Sequence, residues 1–199
     1  MKVVRNAVSA RRGRAAALLW LLAAAGYLLA EAFAAAALPG YSYRTDYIST
    51  LGDPSVSPRA PLMNAAFAVQ GVCFAAAALL VAAARKQLWF LAFAVGNGIG
   101  NVLIAVVHSG QGNPAHIVGA VLAIVGGNAA ALAGSGAPLA AAYRTASITL
   151  GALGLVCLLV TATAPSQVGG WERGSVYPIF AWQILTAVML LRAGPKQRS

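Results

Sequence analysis

Leu88–His108 reads LWFLAFAVGNGIGNVLIAVVH, twenty residues without a charge closed by a histidine, with Arg85-Lys86 just before it. As an α-helix rising about 1.5 Å per residue, the stretch is roughly 30 Å long, the thickness of a bilayer's hydrocarbon core. It lacks the strict alternation of a transmembrane strand. Lipid offers no partner to backbone N–H and C=O groups, so a span of this kind is helical. Five further segments match it or nearly do: Ala15–Leu38, Pro61–Ala84, Pro114–Gly136, Ala146–Ala164 and the shorter Val176–Leu191. The chain is 60% apolar and only 9% charged, against about 25% charged in soluble domains. This excludes an ordinary soluble enzyme, a disordered tail and a disulfide scaffold. The fold expected is all-α: a polytopic membrane protein, a six-transmembrane-helix bundle spanning residues 15–192. A basic segment (1–14) precedes it and a basic tail (193–199) follows.

Charge sets the orientation. With the N-terminus inside, Lys2, Arg5, Arg11, Arg12, Arg14, Arg85, Lys86, Arg144, Arg192, Lys196 and Arg198 fall on the inner side, and only Arg44, Arg59 and Arg173 on the outer. Positive residues stay cytoplasmic during insertion, so both termini are expected inside, in the plasma membrane of a prokaryote. The first apolar stretch is longer than the 7–15 residues of a signal-peptide core, so it reads as an uncleaved anchor. The net charge of +10 belongs to span ends facing anionic lipid. No aromatic-and-basic face accompanies it, so nucleic acid is not an expected partner. Tyr41, Tyr43, Tyr47, Trp171 and Tyr177 on one side, with Trp20 and Trp89 on the other, read as interfacial belts. Cys73 and Cys157 read as small apolar fillers.

The scarce ionisable groups gather toward the outer side. Glu31 lies in the outer third of the first span, Asp46 and Asp53 in the first outer loop, and Glu172-Arg173 ahead of the last span. His108 and His116 flank one tight turn, with Asn113 as N-cap and Pro114 at the first position of the fourth span. Asn97, Asn101 and His108 share a helical face, a polar stripe running outward from mid-membrane. Gly96 and Gly100 form a small-xxx-small pair suited to close helix approach. In the first outer loop, Thr45 is the expected N-cap of a short interfacial helix, Asp46–Leu51, that turns Tyr47, Ile48 and Leu51 inward and ends at Gly52.

The stretch Asp46-Tyr-Ile-Ser-Thr-Leu-Gly52, with Asn64, Phe67, the outer histidine and Gly170-Trp-Glu-Arg173, resembles a multipass bacterial and archaeal membrane family. That family is catalogued as domain of unknown function 998, and the resemblance covers about residues 15–192. It implies a six-helix membrane protein and no particular activity.

Two roles follow from the residues. The first is an accessory protein that binds a lipid ligand or another membrane protein at an outward polar site, with Ser49, Asn64, Asn97 and Asn101 as candidate ligand contacts. The second is a metal-dependent hydrolase of a lipid or lipid-linked substrate. In that reading His108, His116 and Asp46 hold zinc, and Asp46, Glu172 and Arg173 are the catalytic candidates. Zinc is the cofactor such a set would take, since no nucleotide or flavin motif is present. Transport ranks third, because the inner halves of the spans carry few polar groups.

Overall fold

The computed structural model describes residues 2–82, 87–136, 141–163 and 166–192, with side chains from residue 10 onward. The expected ends of the second and fifth spans (Ala84, Ala164) and the charges of Arg85, Lys86, Lys196 and Arg198 lie outside the described residues, as do the side chains of Lys2 and Arg5. Six helices are present: α1 (Lys2–Ala37), α2 (Ala60–Ala82), α3 (Leu88–Val106), α4 (Pro114–Gly134), α5 (Ala141–Thr163) and α6 (Val168–Arg192). Each contains a window long and apolar enough to cross a membrane. On α1, Leu18, Leu22, Leu29 and Phe33 are all about 60% exposed along one side. Large apolar side chains left bare in this way are at ease only in lipid.

Sequence neighbours pack side by side, and α6 closes the ring against α1. α4 also touches α6, which leaves α5 against those two helices at the periphery. The core has two layers. At one level Trp20, Phe74, Phe90 and Trp182 stack, Trp20 edge-on to Trp182 at 5.4 Å between centroids. Trp20 is therefore fully buried and no belt residue, because the small residues around it leave room that an indole fills. At the other level Tyr27, Phe67 and Phe180 pack with Ile48, Leu51 and Met63.

Small residues bring the backbones together, at Gly100 as expected but at Gly98 in place of Gly96. A Cβ on Gly100 would lie 2.5 Å from the Gly119 carbonyl oxygen of α4, and one on Gly98 would lie 3.0 Å from that of Gly71 in α2. Gly96 has open space around it. The close approach thus alternates between two neighbours through Gly98 and Gly100.

Several boundaries differ from expectation: α1 begins at Lys2, not Ala15, and α5 at Ala141, not Ala146. α6 begins at Val168, not Val176, since the glycines and charges of Gly169–Gly174 lower hydropathy without preventing a helix whose charges find partners. α3 ends at Val106, and His108 is in extended backbone outside it, which cuts the polar stripe after Asn101. The loop helix is a 3₁₀ helix over Ile48–Gly52 whose N-cap, Tyr47, makes no side-chain cap. Thr45 instead contacts Asp46. Tyr47 is exposed while Ile48, Leu51 and Gly52 are buried. The expected cap of α4 is present: the Asn113 side chain accepts from Ala115 N at 2.9 Å, with Pro114 at the first helical position.

Candidate functional site

At one end of the bundle a hydrogen-bonded knot around Arg173 ties the loop after α1 to α1 itself and to the start of α6. Its Nε donates to Glu31 Oε1 at 2.9 Å. Its Nη1 faces the carbonyls of Tyr43 (2.7 Å), Gly169 (3.0 Å) and Asp46 (3.1 Å). Its Nη2 donates to the Tyr41 hydroxyl at 2.6 Å. The guanidinium also lies 4.4 Å from the Tyr43 ring centroid, a cation–π distance. Tyr177 donates a second hydrogen bond to Glu31 Oε1. Burial raises the phenol pKa values of Tyr41 and Tyr43, against the pull of the Arg173 charge, so both rings stay neutral donors. Glu172, next along α6, accepts from the backbone N–H of Ile48 and so caps a 3₁₀ helix 124 residues distant in sequence.

The loops also bind one another. Ser109 Oγ donates to the Ser49 carbonyl, and Asn64 Nδ2 to the Gly52 carbonyl. Asp53 folds onto Ser55, whose N–H and hydroxyl hold its carboxyl below the usual range.

Beneath this lid is a cavity of about 40 Å³, room for roughly three waters. Ser49, Asn97, Asn101, His116 and Glu172 all line it, joined by Gln70 and by the rings of Tyr27, Phe67 and Phe180. Five side chains chosen from the sequence thus meet at one place, although they come from the 3₁₀ helix and three different spans. Asp46, Asn64, His108 and Arg173 are elsewhere: they tie the loops together or sit within them. Tyr27 and Gln70 were missed, and so was the Glu31–Arg173 pair. An acid within a span demands a partner at the same depth, and that was the available signal for the pair.

Among the described residues, no three His, Cys, Asp or Glu side chains gather to hold a metal ion. The expected zinc set is not assembled, and the reason is local. Asp46 Oδ2 accepts from Ser42 N at 2.7 Å, His108 Nδ1 faces Gln111 Nε2, and His116 Nδ1 faces the Val107 carbonyl at 2.7 Å. A carbonyl only accepts, so His116 carries its proton on Nδ1 and, when neutral, has a bare Nε2.

The sequence matches, over residues 15–189, a family described as "Protein of unknown function (DUF998)". The chain belongs to that family. No curated protein and no solved structure matches it. Membership in DUF998 agrees with the six-helix membrane architecture and assigns no chemistry.

Proposed function

We propose that this DUF998 protein is an accessory membrane protein that holds a small polar ligand, or the head of a lipid, in the cavity beneath the loop lid. The observation that carries this reading is the convergence of Ser49, Asn97, Asn101, His116 and Glu172 on one enclosed space. Buried polar groups are kept where they have partners, and here one has none among the described residues. Asn97 Oδ1 is buried and unpartnered. The basic-residue bias supports an orientation with both termini cytoplasmic and the lid facing outward, and the family resemblance supports a prokaryotic plasma membrane.

The test is occupancy. Ala120 lines the cavity wall, so Ala120→Trp fills it and leaves every polar residue unsubstituted. Native mass spectrometry of protein released gently from its own membrane should show a bound small mass on the wild type that this variant lacks. A wild type that carries nothing, or a variant that retains the same mass, overturns the proposal.

A further inference from the structure

We infer that the cavity ligand is a primary ammonium group, an inference that rests on the binding role proposed above. Each side-chain amide nitrogen in the cavity, and the imidazole Nδ1, already makes one hydrogen bond within the chain. Asn97 Nδ2 donates to the Ala123 carbonyl at 2.6 Å, and Asn101 Nδ2 to the Asn97 carbonyl at 3.0 Å. Gln70 Nε2 donates to Gln183 Oε1, and His116 Nδ1 to Val107 O. These bonds fix which end of each group is left over. Both asparagine side chains keep a carbonyl oxygen, and neutral His116 keeps a lone pair on Nε2. Glu172 keeps Oε1, since its hydrogen bond from Ile48 ends on Oε2. Asn97 is 1% exposed and its Oδ1 has no partner.

The lining is thus rich in acceptors, and it contains one carboxyl group and no lysine or arginine. Beside the second N–H of each amide, its donors among the described residues are the hydroxyls of Ser49 and Tyr27, which accept equally well. An anion would face the Glu172 carboxyl with no cationic side chain in the lining to offset it, which is costly in a buried space. A group with three N–H donors and a positive charge matches what is left, and charge-assisted bonds to a carboxylate are the strongest available. The aromatic rings fit the same ligand: Tyr27 and Phe180 lie 4.6 Å apart between centroids and Tyr27 and Phe67 5.5 Å, and aromatic faces attract ammonium groups. The volume of about 40 Å³ suits a small alkylammonium head. A free small amine and the ethanolamine head of a phospholipid share this chemistry.

The experiment titrates full-length purified protein with ethylammonium chloride and, in parallel, with acetamide, which is neutral and of similar size. Thermal unfolding and calorimetry are read. Ethylammonium should stabilise the wild type in a concentration-dependent way, and acetamide should not. Glu172→Gln, which keeps an oxygen for the Ile48 N–H, should weaken binding at least about tenfold. Asn101→Asp, which adds a second carboxylate, should tighten it. To separate the sources, the titration is repeated in nanodiscs of phosphatidylethanolamine and of phosphatidylcholine, whose quaternary head has no N–H. Competition by the former alone identifies the lipid head, and equal affinity in both identifies the free amine.

Equal stabilisation by acetamide, lost in Ala120→Trp, would overturn the ammonium assignment and leave the binding role intact. Absence of any ethylammonium effect also overturns it, and the mass measurement then decides the binding role independently.

Discussion

Arg173 is held by Glu31, by three backbone carbonyls and by the Tyr41 hydroxyl, and it is 6% exposed. A guanidinium so enclosed organises structure and has no nitrogen left without a partner in the chain. Removing it leaves Glu31 buried without its counter-charge, with Oε2 already unpartnered. Breaking a buried pair from one side costs about 3–5 kcal/mol, whereas replacing both partners with apolar groups of similar volume is far milder. Arg173→Met should therefore lower the unfolding midpoint in detergent sharply, and Glu31→Leu combined with Arg173→Met should recover part of the loss. The recovery stays incomplete because the carbonyls of Tyr43, Asp46 and Gly169 lose their donor in both variants. A double variant no more stable than the single one would show that the charge pair itself contributes nothing.

Among the elements, α3 shows how closely two neighbours can be read from one helix. Gly96 and Gly100 are one turn apart, yet one faces open space and the other the backbone of α4. The same substitution should act in opposite directions. Gly96→Ala should stabilise by about 0.5–1 kcal/mol, the helix-propensity gain, while Gly100→Ala should cost about 1–3 kcal/mol through overpacking. Thermal unfolding of the two variants side by side checks this, and equal shifts would refute the packing description. The elements themselves were legible because twenty apolar residues in a row have one stable form in lipid. Their ends were less so. Gly169–Gly174 reads as loop by hydropathy, and it is helical because Glu172 and Arg173 meet partners more than 120 residues away in sequence. Gly100 was identified correctly as an interface residue, but Gly98 was missed, since composition does not say which of several glycines faces a neighbour. Asn97, Asn101 and His116, which line the cavity, stood out in the sequence because amides and imidazoles are rare within spans. The bonds that fix which of their atoms are left free did not, as those depend on exact rotation about each helix.

At the scale of the whole molecule, the ring of helices puts the α1–α2, α3–α4 and α5–α6 connections at one end, with the cavity under them. The proposed orientation predicts that this end is reached from outside the cell. Val56 is 50% exposed in the first of these connections. In a background lacking Cys73 and Cys157, Val56→Cys should react with a membrane-impermeant maleimide on intact cells. Reaction only after lysis would reverse the orientation.

The contact that closes this ring joins residues 142 positions apart. At translation rates of about 5–20 residues per second, Glu31 emerges from the ribosome on the order of ten seconds before Arg173 exists. During that interval the nascent first helix holds an acid whose native counter-charge has not yet been made. Anything that stalls synthesis before α6 strands that acid. Arrival of the last helix therefore completes the first, which cannot reach its native electrostatic state before then.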